Sequence, residues 1–379
     1  MSEIIYLDNA ATTFPKPAPV IQAMCEAVVE YGANPGRRGH QLSQRAAQTV
    51  YHTRARVAEF FGGKAERVAF TLNATYAINT ALCGFLKPGD HVVVSDLEHN
   101  ALIRPLEAMK AKGISYSVAR VDFYDDERTL RAFEAKICSR TALIACTHAS
   151  NVWGKILPVR RIGALAHAHH IPFLVDASQS AGYVPIDMKR MHIDFLCMPG
   201  HKGLYAPQGI GMLLLSERVD LEPLVRGGTG SNSLEISQPD FYPDRLESGT
   251  LNTPCIAGLA EGIRFIESEG RDQLYQREMR HIRAIYKGLS VIKRVRLYTP
   301  CPDHTYVPVL SFGLRDTDQE AFYAYLDENK DAVRSGLHCA PFAHRHAGTL
   351  RTGAIRVSVG AFNTGEEVEK FLCLVENYE

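Results

Sequence analysis

Two segments of the chain end in residues that suit one kind of chemistry. The apolar run "FLVDAS" closes on Asp176, and "FLCMPGHKG" closes in a turn that carries His201 and Lys202. A lysine amine can form a Schiff base with pyridoxal phosphate, and an aspartate can keep that cofactor's pyridine nitrogen protonated so that the ring withdraws electrons. Spacing alone leaves a surface ion pair as the competing reading. In "TLNATYAIN" a strand pattern passes into a helical one through Asn73, Ala74 and Thr75. Free amides at a helix N-terminus, with a threonine hydroxyl beside them, suit a phosphate; plain N-capping by Asn73 or Thr75 needs no ligand. "SDLEHNA" sets His99 after another strand, where an imidazole can stack on a flat ring and move protons or simply be solvated. "ASNVWG" contributes Asn151, and Gln179 follows Asp176 by three positions; each can bond a ligand or satisfy loop backbone.

The stretch "RSGLHCAPFAHRHAG", residues 334–348, crowds Cys339 with His338, His344 and His346. Cys339 can be read as a nucleophile, a metal ligand or a small buried side chain. The four residues fall within nine positions, too close and irregular for paired zinc ligands, so no metal site is assigned. Arg334 and His338 flank the thiol and would favour its thiolate; His344 and His346 read as solvated loop residues. Arg356 in "GAIRVSVG" can clamp a carboxylate through two parallel hydrogen bonds. A structural ion pair with an acid of the following helix is the alternative for it, and Arg351 reads as a surface residue.

The elements that must position these residues alternate. "RVAFTL", "HVVVSD", "ISYSVARV", "TALIACTHAS", "IPFLVDAS", "FLCMPG" and "IGMLLLS" read as strands, with helices such as "ATYAINTALCGFL", "ALIRPLEAMKAKG" and "VRRIGALAHAHH" between several of them. Such alternation predicts an α/β fold with a mostly parallel sheet covered by helices on both faces. Ligands of these sheets lie at the carboxyl ends of the strands, where Asp176, Lys202, His99 and Asn151 all fall. From about 220 to 253 the chain turns irregular and rich in Gly, Ser and Pro, a length that suggests a functional loop or a subunit contact. One long helical stretch (255–290), strands "RVRLYTP" and "VPVLSFGL", helix "DQEAFYAYLDENK", strand "GAIRVSVG" and helix "GEEVEKFLCLVENY" then make a smaller α+β lobe.

Composition narrows the partners. The 379 residues carry 42 Lys plus Arg against 42 Asp plus Glu, so no global field draws in nucleic acid or an anionic membrane, and a small molecule is the expected partner. The start of the chain has no leader pattern and no apolar stretch approaches membrane-spanning length; a cytoplasmic protein is expected. Nine scattered cysteines without a CxxC pair argue against a disulfide framework, and most read as small buried hydrophobes.

The ordered series "YLDNAATT", "NATYAIN", "EHN", "SNVWG", "VDASQSAG", "GHKGLYAPQGIG", "ESGTLNTP", "RSGLHCA" and "RVSVGAFNTGEEVEKF" resembles the cysteine desulfurases of the class V aminotransferase family, nearer their group II branch. It runs over essentially the whole chain. The resemblance implies a fold-type I pyridoxal-phosphate enzyme acting as a homodimer. A large domain (15–250) would bind the cofactor, and a small domain (1–14 and 251–379) would carry the cysteine loop. It implies that Lys202 holds the cofactor, Asp176 pairs with the ring nitrogen, Gln179 contacts the ring hydroxyl and His99 stacks over the ring. Ala74, Thr75 and His201 would hold the phosphate, with Thr250 reaching over from the second subunit. Asn151 and Arg356 would bind the carboxylate of L-cysteine, with Arg334 and His338 beside them. Cys339 would take the sulfur as a persulfide and pass it to an acceptor protein.

Two positions depart from the family pattern. Pro199 stands where a serine or threonine is usual, which removes one expected phosphate hydrogen bond. Leu337 stands where group II members often have a histidine, so His338 alone precedes the cysteine. A selenocysteine lyase acting on L-selenocysteine shares this scaffold, and a low-activity sulfur-transfer scaffold protein is the non-enzymatic alternative.

Overall fold

The computed structural model describes residues 4–35, 39–231, 233–315 and 318–378; Asn232, within the irregular 220–253 segment, lies outside them. The larger sheet has seven strands in the order Val68–Thr71, Gly211–Leu215, Phe195–Pro199, Phe173–Asp176, Thr141–Thr147, His91–Ser95 and Ser115–Ala119. Gly211–Leu215 runs antiparallel to both of its neighbours and every other pairing is parallel. The expected mostly parallel sheet is therefore present, and the carboxyl ends of six strands share one edge.

Side chains along a strand alternate between faces, and both faces here are apolar because both are covered. Phe173 and Val175 enter one core with Val57, Phe61, Ile162, Leu259 and Ile263. Leu174 enters the other with Ile78, Leu82, Leu102 and Leu106. Helices Gln41–Phe61, Val159–Ala168 and Thr253–Glu269 thus cover the first face, and Ala74–Phe85 and Asn100–Met109 the second.

The smaller lobe is built on an antiparallel sheet in the order Arg334–Gly336, Ala354–Ser358, Val309–Leu314 and Val295–Leu297. Helices Arg271–Val291, Gln319–Glu328 and Gly365–Asn377 cover one of its faces around Phe312, Phe322 and Phe371. The chain start joins this lobe: Ile5–Tyr6 pairs in parallel with Asp331–Ala332, and Leu7 lies in the same core. No helix among the described residues is long and apolar enough to cross a membrane.

Two sequence expectations need correction. The helical stretch read as one element is two helices, Thr253–Glu269 and Arg271–Val291, because Gly270 takes a φ of 79° and ends the first. Only Cys146, Cys197 and Cys255 are buried; Cys25, Cys83, Cys138, Cys301, Cys339 and Cys373 are exposed. Cys25, Cys83 and Cys373 lie on outward faces of helices, and Cys138, Cys301 and Cys339 lie outside helices and strands.

The connections after Phe173–Asp176 and Phe195–Pro199 pack backbone on backbone. A Cβ on Gly182, whose φ is 90°, would lie 2.0 Å from the Gly203 carbonyl oxygen, and one on Gly203 would lie 2.4 Å from that of Ala181. This approach sets the turn bearing Lys202 against the one that follows Asp176. Gly182→Ala is expected to lower stability by about 1–3 kcal/mol through overpacking, read as a lower urea midpoint; an unchanged midpoint would show that the two turns separate freely.

Candidate functional site

Phe173–Asp176 ends on Asp176, which is 3% exposed. Its Oδ1 accepts the Ser178 amide at 2.9 Å and the Ser178 hydroxyl, while Oδ2 takes no hydrogen bond from the described residues. Lys202 follows the strand that ends at Pro199, and the chain start grips its backbone. The His201 carbonyl accepts Thr13 N at 3.1 Å, Thr12 Oγ1 at 3.1 Å and Lys16 Nζ at 2.8 Å. The Lys202 carbonyl accepts Thr13 Oγ1 at 3.2 Å. Burial pushes the Lys202 amine down to about 8; Asp176 opposes this, and Arg356 adds to it. The same desolvation brings Lys16, whose amine also bonds Thr13 Oγ1 at 2.7 Å, down to about 7.

His99 caps helix Asn100–Met109, its Nδ1 accepting the Ala101 amide at 3.0 Å. Burial, reinforced by Lys202, pushes the ring down to about 4, so it is neutral and carries its proton on Nε2. Glu98 beside it is fully buried and accepts Thr147 N on both oxygens, at 2.9 and 3.0 Å, and the Ser95 hydroxyl. Glu98 thus ties the His99 turn to the end of strand Thr141–Thr147, where Thr147 is the register partner of Asp176. Its burial raises the carboxyl to about 8 despite those hydrogen bonds.

After the edge strand Val68–Thr71, Asn73 caps helix Ala74–Phe85 by accepting the Tyr76 amide at 3.1 Å. The amides of Ala74 and Thr75 donate to no described group. His201 Nδ1 is likewise buried without a partner, and burial, with Lys202 and Lys16 nearby, pushes that ring down to about 3. Gly211 permits the approach, since a Cβ there would lie 2.5 Å from the Asn73 carbonyl carbon. Gln179 donates Nε2 to the Ala10 carbonyl at 3.0 Å, which leaves Oε1 as its acceptor. Unfilled amides at a helix N-terminus, an orphaned imidazole nitrogen and a buried carboxylate beside a desolvated lysine fit a phosphorylated pyridine aldehyde. Pro199, paired in register with Gly211, has no N–H to add.

The cysteine segment is docked onto this edge. The Asn100 amide donates to the Cys339 carbonyl at 2.7 Å, and Asn151 Nδ2 donates to the His338 carbonyl at 2.7 Å. Arg356, 2% exposed, donates Nη1 to the Asn151 carbonyl at 3.1 Å and Nη2 to Asp8 Oδ1 at 2.5 Å, while its buried Nε has no partner. Asp8 Oδ2 lies 3.5 Å from Arg334 Nη1, so one carboxylate serves two guanidiniums. His338 flanks the thiol as a neutral ring rather than a charged one. Burial pushes it down to about 3, and its ring nitrogens meet the Arg334 carbonyl and His344, each at 3.3 Å. His344 and His346 are not solvated loop residues: His344 is fully buried, and His346 bonds Asp96 Oδ2 at 2.7 Å and stacks on Phe123. Arg351 is exposed, as expected.

Thr250 is exposed on a loop whose root is the buried pair of Arg54 and Glu247, with Arg54 Nη1 to Glu247 Oε1 at 2.7 Å and Nη2 to Oε2 at 2.8 Å. Within one chain no described hydrogen bond joins it to the other site residues. Asp8, Thr13, Lys16 and Glu98 enter the site without having been singled out. Asp8 stands inside "YLDNAATT" and Glu98 directly before His99, so adjacency to the assigned residues was the available signal.

A model of the aminotransferase class-V family matches residues 5–371. A probable cysteine desulfurase of Pyrococcus abyssi is 35% identical, the match covering 99% of this chain and 94% of that protein. One from Methanothermobacter thermautotrophicus is 34% identical, with 96% and 92% covered. The apo structure of the cysteine desulfurase from Thermococcus onnurineus superposes with a TM-score of 0.90 at 34% identity, covering 98% of this chain and 94% of that one.

Because Asp176 is the leading influence that sustains the charged form of Lys202, its removal shifts the amine further down. In the cofactor-free protein, labelling of Lys202 by an amine reagent, followed by peptide mass spectrometry, is expected to rise with pH around a midpoint near 8. In Asp176→Asn the midpoint is expected to lie lower; a higher midpoint would contradict the arrangement.

Proposed function

The chain belongs to the aminotransferase class-V family, and we propose that within it the protein is a pyridoxal-phosphate-dependent cysteine desulfurase that converts L-cysteine to L-alanine and takes the sulfur on Cys339. The observation that carries this reading is the docking of the Cys339 carbonyl on the Asn100 amide, next to His99. A thiol no disulfide uses is thereby held, exposed, at the edge that also bears Lys202 and Asp176.

The cofactor, when bound, supplies an electron sink for the charge left at an amino acid's α-carbon. Lys202 would anchor it, Asp176 would face its ring nitrogen through the free Oδ2, and Gln179 would meet its hydroxyl through Oε1. The Ala74 and Thr75 amides and His201 would hold its phosphate, with the Lys16 amine adding a hydrogen-bond donor at the His201 backbone where Pro199 offers nothing. His99 would lie against its ring and present Nε2–H. Arg356, oriented by Asp8, and Asn151 would receive the substrate carboxylate.

A desolvated amine at about 8 can give up its proton near neutrality, so Lys202 is suited to remove the substrate's α-proton. The Cys339 thiolate then forms a bond to the substrate sulfur as the carbon–sulfur bond breaks. The enzyme keeps that sulfur as a persulfide, and the released carbon, once protonated, is alanine. Both lobes contribute, and because helix Thr253–Glu269 lies against the large sheet, the packing supports a division near Gly270 rather than at residue 251. A second copy of the chain would complete the phosphate end through Thr250. The fully exposed Leu234 and Ile236 on the same irregular segment support a partner surface there.

Alanine and sulfide release from L-cysteine, with a thiol reductant present, tests the reading. Lys202→Ala is expected to lose about a hundredfold or more, and Cys339→Ala to fall to background. Equal turnover by wild type and Cys339→Ala would refute the persulfide role. A protein that ignores cysteine but turns over selenocysteine without Cys339 would instead be a selenocysteine lyase.

A further inference from the structure

We propose that His344 and Thr349 are positioning residues for the sulfur-accepting thiol: a buried hydrogen-bond chain from Thr349 through His344 to His338 holds the Cys339 loop in its docked shape. The inference rests on Cys339 being the sulfur acceptor.

His338 and Cys339 are consecutive non-glycine residues with φ of 50° and 55°, a left-handed arrangement that L residues hold only where their surroundings over-determine it. The backbone on both sides is pinned. Asn151 Nδ2 meets the His338 carbonyl, and Trp153 Nε1, from the same turn, meets the Ala343 carbonyl at 3.0 Å.

The histidine chain fixes the remaining freedom, and its proton positions follow from its ends. The Arg334 carbonyl can only accept, so the His338 proton is on Nε2. His338 is neutral, which leaves Nδ1 to accept from His344 Nε2–H. His344 is then neutral with a bare Nδ1, consistent with its burial-depressed basicity, and this accepts the Thr349 hydroxyl at 2.8 Å. The two rings lie nearly parallel, at 11°, and Trp153 packs on His344 with ring centroids 5.3 Å apart. The Thr349 hydroxyl lies 2.8 Å from His344 Nδ1 and 3.4 Å from the His344 carbonyl, so the ring nitrogen is its nearer acceptor, and the run ends on the loop that carries the thiol. Neither His344 nor Thr349 bonds to Cys339 itself, so their effect passes through His338.

The test uses the cofactor-loaded protein with Thr349→Val, Thr349→Ser and His344→Phe. Thr349→Val keeps shape but strands His344 Nδ1 without a partner, and is the milder variant should His344→Phe fail to fold. Amide hydrogen exchange is read at Asn100, whose N–H reports the Cys339 carbonyl, and over residues 334–349. Exchange is expected to quicken about tenfold in Thr349→Val, kcat for alanine release to fall by a similar factor with KM and the cofactor absorbance unchanged, and Thr349→Ser to restore both. Unchanged exchange, or lost protection with full kcat, would overturn the inference. Exchange reads the loop without any sulfur transfer, so failure of the persulfide reading shows separately, as full turnover by Cys339→Ala with the loop effects intact.

Discussion

The site depends on two hydrogen bonds of 2.7 Å that join the last third of the chain to the first half: Asn100 N to the Cys339 carbonyl and Asn151 Nδ2 to the His338 carbonyl. The groups suited to a pyridine cofactor lie on the carboxyl edge of the large sheet, whereas the thiol comes from a loop leaving the small one. Trp153 Nε1 on the Ala343 carbonyl, His346 on Asp96 and Arg356 Nη1 on the Asn151 carbonyl reinforce them, and together they fix the relation between the two sets of groups. The donors come from the turns after His91–Ser95 and Thr141–Thr147, and the sheet register that aligns those strands therefore also aligns the thiol.

The electrostatics follow the same plan of charges placed where water is scarce. Asp8 sits between Arg334 and Arg356 and leaves the pair with a net positive charge, the complement of an incoming carboxylate. Lys202 is kept near 8 by two opposed effects, burial driving the proton off and Asp176 holding it. The imidazoles of His99, His201, His338 and His344 are all held neutral by burial. They act as oriented donors and acceptors, leaving the net charge of the site to the arginines, the lysines and the two aspartates. A buried carboxyl at Glu98 braces the histidine turn against the end of strand Thr141–Thr147, beside Asp176, without adding a full negative charge near neutrality.

How much of this could be read from residues alone depended on whether local pattern or tertiary placement decided it. The seven strands and their helices were legible because apolar runs buried on both faces leave a strong signal, and the strand-end position of Asp176, Lys202 and His99 followed from that. Gly270 leaves no mark in the apolar spacing, which continues on both sides of it, although its left-handed φ divides the helix. The burial of the histidines after Cys339 is hidden for a different reason. A polar stretch between glycines looks solvated, and nothing in it reveals that Trp153 and Asp96, each more than a hundred residues earlier, receive His344 and His346. Asp8 was likewise invisible as a partner of two arginines at the far end of the chain. Long-range pairing of polar groups has no period along the sequence, and it is what builds this site.

The central claim is that one cysteine of nine, placed by that docking, receives the sulfur. The most direct measurement is to expose the wild-type, cofactor-loaded protein to L-cysteine without reductant, trap its thiols and map every cysteine peptide by mass spectrometry. The account predicts one added sulfur atom on Cys339 and none on the other exposed cysteines, Cys25, Cys83, Cys138, Cys301 and Cys373. Alanine formed with no added sulfur on Cys339, or with sulfur on another cysteine in its place, would contradict it.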